Sequence, residues 1–506
     1  MMDLSIGKQH ITIQNVGSVV YGNAKVKVSD DRIYRDQIEA NVCFLQESLK
    51  NGMAIYGTTT GFGDSSKQSI SEKNAEELQK RLVQYHQCGT GAKFHPDQTI
   101  AIMLARLVGL AKGYSGVRYS ILETLAKMIN ERITPIIFVE GSVGASGDLT
   151  PLSYIAGSLT GMGEVVWNGK ILSAREALEK AGIQPIKFAP KEALALMNGT
   201  SVMTGIMALA CSDIQKLCEV MEMATAMAVL ALQGHPQAFD RRIHELKPFD
   251  GQKKSAQAIS RYLFQATCNA QNTSEPANIQ DVYSLRCAPH IIGVARDTLA
   301  YAIQWAETEL NSVNDNPIIC HEDRTILMGG NFYGGYISQA CDSLKIAVGH
   351  LADLADRQLA LLVDEKFSKG LPRNLVVSCA EEVGLNHGFK GMQIASSALT
   401  SEVLKNAMPA SIFSRVTECC NQDKISLGTI ASRDLIRTVE LTSRVLAILS
   451  LAVAQAVDIR GGIEKMSPEI LAFHRKIRSL SPYLSMDRPM DKEIELVAQH
   501  LLQPRA

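Results

Sequence analysis

The sequence predicts a mainly α fold, a bundle of long helices preceded by a loop-rich N-terminal part with a few short strands. Apolar residues recur at three- and four-residue spacing over long stretches, segments with strand character are short, and a loop-rich region gives way to long periodic stretches near Asn198-Gly199. A chain of 506 residues exceeds one ordinary core, and 46% hydrophobic with 20% charged residues is a globular composition.

In chain order, β-branched segments with turn signals predict strands at 10–16 and 25–28. A further pair is predicted over 164–172, where Trp167-Asn168-Gly169-Lys170 supplies a hairpin turn. Helical periodicity covers 76–86, 99–112, 118–129, 202–232, 296–311, 336–363, 396–406 and 432–457. Met203, Met207, Met221, Met223 and Met227 read as gap-filling residues of close helix packing. The expected division is 1–198 as a loop-rich N-terminal domain, 199–478 as the central long-helix bundle, and 479–506, with Pro482, Pro489 and Pro504, as a tail packed on it.

A formal charge of −1 and no basic run longer than Lys253-Lys254 argue against nucleic acid as a partner and for a small ligand. Eleven cysteines, an odd number with no CxxC and no zinc-ligand spacing, fit a reduced cytoplasmic compartment and no metal. The beginning Met1-Met2-Asp3 shows no secretory pattern. The apolar stretch 445–457, about 13 residues, falls short of the roughly 20 a bilayer needs and reads as a core helix rather than a membrane span.

The segment Gly141-Ser142-Val143-Gly144-Ala145-Ser146-Gly147-Asp148-Leu149-Thr150-Pro151 carries the chemistry. It lacks the lysine of a phosphate loop and the spacing of a dinucleotide loop, and Asp148 stands where a nucleophile elbow needs glycine. A plain reading is a glycine-rich turn into a helix, with Asp148 or Thr150 at the N-cap and Pro151 in the first turn. That reading leaves the small-Ser-Gly series unexplained. With little bulk at Ala145 and Gly147, the glycine nitrogen can approach the carbonyl carbon two residues back.

Gly144-Ala145-Ser146-Gly147-Asp148-Leu149 resembles the signature of the histidine, phenylalanine and tyrosine ammonia-lyases. Further landmarks extend the resemblance over nearly the whole chain: Tyr56-Gly57-Thr58-Thr59-Thr60-Gly61-Phe62-Gly63, Leu196-Met197-Asn198-Gly199-Thr200, Gln280-Asp281-Val282-Tyr283-Ser284-Leu285-Arg286, Asn314-Asp315-Asn316-Pro317, Gly330-Asn331-Phe332 and Asn421-Gln422-Asp423. The resemblance implies an ammonia-lyase (fumarase/aspartase-like) architecture. It also implies a 4-methylidene-imidazol-5-one (MIO) formed autocatalytically from Ala145, Ser146 and Gly147, with no external cofactor or metal, and a homotetramer whose sites draw on three subunits.

Ammonia is a poor leaving group and the β-proton of an amino acid is weakly acidic, so the reaction needs an electrophile and a base. The resemblance makes Tyr56, on a glycine-punctuated loop suited to a lid, the β-proton base. It makes Arg286 the clamp for the substrate carboxylate, for which a guanidinium offers a planar pair of donors. Asn198, Tyr283 and Gln280 are expected to line the ring and the carboxylate site, and Phe332 to hold substrate and exclude water. Glu418, four residues before Gln422, would share a face with it in a helix and is implied near the substrate amine, with a solvated helix glutamate as the plain alternative.

For the substrate, Gln422 replaces the glutamate that histidine lyases place there, which argues against histidine. Tyr85-His86, at the expected ring end of the pocket, would leave two polar tips unpaired around a bare phenyl, so tyrosine giving 4-coumarate is favoured over phenylalanine giving cinnamate. Mutual or helix-backbone bonding of the two residues would leave the pocket indifferent, and a bulky Tyr85 could shorten it. An MIO-dependent 2,3-aminomutase, a histidine ammonia-lyase and an inactive scaffold of the same fold are the rival readings.

Overall fold

The computed structural model describes residues 3–22, 24–268, 279–377 and 384–502, among which are eighteen α-helices and nine short strands. Pro504 of the expected tail lies outside them. The chain divides into two compact units: Met1–Ser212 with Ala302–Asp342 and Pro409–Ile436, and Asp213–Tyr301 with Ser343–Met408 and Arg437–Ala506.

The described strands all fall in the first unit, in four small sheets. Leu4–Ile6 pairs in parallel with Val26–Val28, within the predicted 25–28. The strand expected at 10–16 is instead a helix, Ile13–Val20. Thr12 accepts from the Asn15 backbone while Asn15 accepts from the Thr12 backbone, a reciprocal cap that overrides the β-branched content. The hairpin Glu164–Trp167 with Lys170–Ser173 forms as predicted, with Asn168 (φ 50) and Gly169 (φ 74) both left-handed, as a two-residue hairpin turn demands.

The predicted helices all form. Ala75–His86, Pro96–Leu110, Tyr119–Asn130 and Leu149–Leu159 belong to the first unit. Pro96–Leu110 starts on a His95 cap with proline at its first position, and from Thr99 onward every residue is buried. A helix apolar on all faces is a core element.

In the second unit, helix Lys390–Asn406 packs Val403 with Ala352 and Leu441 in a core cluster. Four long helices, Ser201–Ala231, Ala288–Leu310, Gly335–Val363 and Gly428–Arg460, whose residues are divided between the two units, account for the expected long-helix character. The five methionines of 202–232 are all buried. Gly428–Arg460, at 33 residues, is longer than the 445–457 core, long and apolar enough to cross a bilayer by length and composition alone; 83% of its apolar window is buried within the protein, so it serves as a core helix. The segment expected as a tail carries a helix of its own, Asp491–Leu502.

Candidate active site

The first unit holds a cavity of about 480 Å³. Of the residues expected from sequence, Tyr56, Tyr85, His86, Ala145, Ser146, Asn198, Phe332, Glu418 and Gln422 line it. Gly147 lies behind Ser146, bridged to Gly199. Gln280, Tyr283 and Arg286 belong to the second unit and are not among the lining residues. There the Arg286 guanidinium lies 4.6 Å over the Tyr283 ring, its Nε is buried without a hydrogen-bond partner among the described residues, and Gln280 and Tyr283 are exposed.

The loop Ala145-Ser146-Gly147 is bent by left-handed backbone at Ser146 (φ 51) and Gly147 (φ 76). The helix Leu149–Leu159 begins on Asp148 with Pro151 in its first turn, yet the Asp148 carboxylate does not cap that helix. It turns to the start of Ser201–Ala231, accepting from the backbones of Val202 (2.9 Å) and Met203 (3.1 Å) and from the Thr429 hydroxyl. Full burial pushes its pKa up to about 6 against the pull of these donors.

The Ser146 carbonyl oxygen receives two donors, Asn198 Nδ2 at 3.0 Å and the Gly199 backbone at 3.2 Å. Gly199 (φ 144) returns its own carbonyl to the Asp148 backbone at 2.8 Å. A Cβ on Gly199 would sit 2.2 Å from Arg106 Nη1, and one on Gly147 would sit 2.1 Å from the Gly199 oxygen. Gly199→Ala is therefore expected to cost about 2 kcal/mol or more, read as a lowered thermal midpoint.

Sequence reasoning missed Arg106. It is fully buried, and its guanidinium donates to the Asn198 carbonyl and to Asn314 Oδ1, each at 2.8 Å. A lone arginine inside the otherwise apolar 99–110 was the available signal.

Tyr56 sits on the predicted loop, its hydroxyl accepting from the Gly63 backbone at 2.8 Å and its ring edge-on to Phe62. Burial raises its pKa, the Gly63 donor lowers it, and Glu418 raises it, with a net upward shift. The base role expected for Tyr56 from the sequence requires the deprotonated form, and on that expectation activity rises as pH climbs through the alkaline range. Glu418→Gln removes a negative neighbour and should move that rise to lower pH, as a kcat/KM profile would show.

Glu418 and Gln422 reach the cavity by a different route from the expected helix. Thr417 and Gln422 pair through their backbones (3.0 and 3.3 Å), closing a tight loop in which Glu418, Cys419 and Cys420 all have positive φ. Asn421 Nδ2 donates to Glu418 Oε2 at 2.8 Å, and the Asp64 backbone donates to its other oxygen at 3.2 Å. Gln422 accepts from the Thr417 hydroxyl at 2.7 Å and extends its amide nitrogen to within 3.5 Å of Ser146 Oγ.

Tyr85 departs from the expectation of two buried polar tips. It is 57% exposed, and its ring lies 4.3 Å from that of His86 at 35°. His86 Nδ1 meets the Leu82 carbonyl at 3.0 Å, and burial lowers the pKa of its imidazole. A neutral ring facing a carbonyl must carry its proton on Nδ1, which leaves Nε2 as an acceptor.

Known proteins resemble this chain over nearly its whole length. The family model described as aromatic amino acid lyase matches residues 11–479. A histidine ammonia-lyase from Alkaliphilus oremlandii is 36% identical over 498 residues, 98% of this chain and 96% of that protein. The solved tyrosine aminomutase from Streptomyces globisporus is 35% identical with a TM-score of 0.91, covering 99% of this chain and 97% of that one. The Pantoea agglomerans phenylalanine aminomutase is 32% identical with a TM-score of 0.92, covering 100% and 99%. These likenesses establish the mainly helical ammonia-lyase architecture expected from sequence. The chain belongs to the aromatic amino acid lyase family and is an ammonia-lyase, an enzyme that breaks a carbon–nitrogen bond.

Proposed function

We propose that this chain eliminates ammonia from tyrosine, giving 4-coumarate, with an MIO formed from Ala145, Ser146 and Gly147 as its electrophile. The observation that carries the substrate is His86: the helix-backbone bond that would make the pocket indifferent occupies one ring nitrogen and leaves the other for a ligand. Its Nδ1 is committed to the Leu82 carbonyl and its Nε2 is an acceptor on a residue lining the cavity. A phenol O–H satisfies that acceptor, whereas the phenyl ring of phenylalanine leaves it unpaired at about 1–3 kcal/mol. Phenylalanine is the second substrate.

The loop fits the MIO group. Gly147 is a position where no side chain fits, Ser146 adopts left-handed backbone, two donors converge on the Ser146 oxygen, and the buried Asn198 Oδ1 has no partner among the described residues. Closure joins the Gly147 nitrogen to the Ala145 carbonyl carbon, with the Ala145 oxygen leaving as one water and Ser146 Oγ, with the α-proton, as a second. When formed, the group supplies a carbon electrophile for the substrate amine.

The chain's residues do the rest. Asn198 and the Gly199 amide hold the Ser146 oxygen, Tyr56 takes the β-proton, and Glu418 lies near the amine. Gln422 stands beside Ser146 with no carboxylate for an imidazole, which weighs against histidine, although histidine ammonia-lyases are among the relatives. Phe332 packs against substrate. Arg286 clamps the carboxylate, with Tyr283 and Gln280 beside it, supplied from neighbouring chains of a cytoplasmic homotetramer. Mixing inactive Tyr56→Phe and Arg286→Ala chains should then restore activity, since some sites would draw an intact copy of each residue from different chains. No recovery after subunit exchange would refute the shared site.

Replacing His86 with leucine tests the substrate assignment. The ratio of kcat/KM for tyrosine to that for phenylalanine is expected to fall by ~10²-fold; an unchanged ratio would refute the role of His86. The likeness to the tyrosine aminomutase supports a second reading, return of ammonia to the β-carbon. Chiral chromatography decides it: a β-tyrosine product marks the mutase, and coumarate with free ammonia marks the lyase.

A further inference from the structure

The otherwise apolar buried face of helix Pro96–Leu110 carries one charge inward, the guanidinium of Arg106. Burial lowers its pKa to about 10, and Asp315, Asp148 and Glu309 act on it only through space. Among the described residues its hydrogen-bond partners are the neutral Asn198 carbonyl and Asn314 Oδ1, and its Nε has none. A buried cation held by neutral partners keeps much of its desolvation cost, so packing alone does not account for an arginine here.

The partner that matters is one peptide group. Arg106 Nη1 donates to the carbonyl of the Asn198-Gly199 peptide, and the N–H of that same peptide donates to the Ser146 oxygen. Charge on the carbonyl end of an amide draws electron density from its nitrogen and strengthens the N–H as a donor, so the two bonds are cooperative. The other arm on Asn314 fixes the plane of the guanidinium, and Gly199 lets the peptide lie directly against it.

We propose that Arg106 is a positioning residue for the electrophile: its two-armed fork orients and polarises the Asn198-Gly199 peptide, which in turn holds and activates the Ser146 carbonyl. This rests on the reading that Ala145, Ser146 and Gly147 cyclise. The Ser146 oxygen becomes the carbonyl conjugated to the carbon that was Ser146 Cβ. Negative charge moves toward that oxygen when a nucleophile adds, and preorganised donors there lower the barrier.

Two readings on purified full-length protein test this without the natural substrate. Intact-protein mass spectrometry reports closure as the loss of two waters. A small thiol reports electrophilicity: sulfur bonds to the former Ser146 Cβ, the double-bond pair shifts toward the Ser146 oxygen, the thiol proton completes the adduct, and the mass rises by one thiol. Losing an oxyanion donor costs on the order of 10²-fold, so a donor weakened through its peptide should slow addition about tenfold. Arg106→Met, if it keeps wild-type circular dichroism, is expected either to lack the two-water loss or to show it with addition slowed about tenfold. Should Arg106→Met not fold, Arg106→Lys decides, because it keeps the charge and loses the fork; it too should close incompletely or add thiol more slowly. A folded variant of either kind matching the wild type in both readings overturns the proposal. A wild-type chain with no two-water loss overturns it together with the proposed function, whereas a closed wild-type loop with indifferent variants removes this inference alone.

Discussion

A Ser146→Ala chain should fold, keep its thermal midpoint within a few degrees, and lose turnover by on the order of 10³-fold or more. The expectation of a normal fold follows from what holds the loop. Two donors hold the backbone oxygen of residue 146 and the Asp148 carboxylate is tied to Val202, Met203 and Thr429, so a methyl in place of the hydroxymethyl gives up only the long 3.5 Å contact from Gln422 to the Ser146 hydroxyl. The expectation of lost turnover follows from atom balance. Without Oγ there is no second water to lose, no methylidene, and nothing to add to the substrate amine. Steady-state kinetics and intact mass on one preparation check both parts; near-normal turnover would remove the electrophile from the account.

Tyr56→Phe should lower kcat by on the order of 10²- to 10⁴-fold while the two-water loss persists, because general base catalysis supplies about that much. The phenylalanine ring keeps the edge-on contact with Phe62 and forfeits only the bond from Gly63. The separation of effects is the informative part. Ser146 variants should fail in mass and in turnover, and Tyr56 variants in turnover alone. A Tyr56→Phe chain that retained the alkaline rise of activity would assign the base to another group.

The fold class was legible because long helices write their period into the sequence, and 76–86, 118–129 and 336–363 map closely onto observed helices. The error at 10–16 shows the limit of composition. Ile11, Thr12 and Ile13 read as strand, but the Thr12–Asn15 cap decides for helix, and a reciprocal cap weighs more than propensity.

At the cavity, the meeting of Tyr56 with Ala145 and Ser146 was legible through contiguous motifs. Glu418 and Gln422 were placed in the cavity correctly but for the wrong reason, since three consecutive left-handed residues build a loop that no helical spacing rule anticipates. For Tyr85-His86 the structure shows the helix-backbone bonding given as the alternative at His86 and leaves Tyr85 half in solvent, neither of which a sequence can show, so only His86 Nε2 remains for the polar reading. Arg106 stood out only as a lone arginine among apolar residues, and its partner could not be read because the peptide group it meets lies more than 90 positions away and only the fold brings it there.

The most direct test of the central claim is ultraviolet absorbance and ammonia release from the purified chain incubated separately with tyrosine, phenylalanine and histidine. Coumarate with ammonia from tyrosine, faster than cinnamate from phenylalanine and with no urocanate from histidine, is the predicted result. Urocanate from histidine with no coumarate from tyrosine would contradict the account.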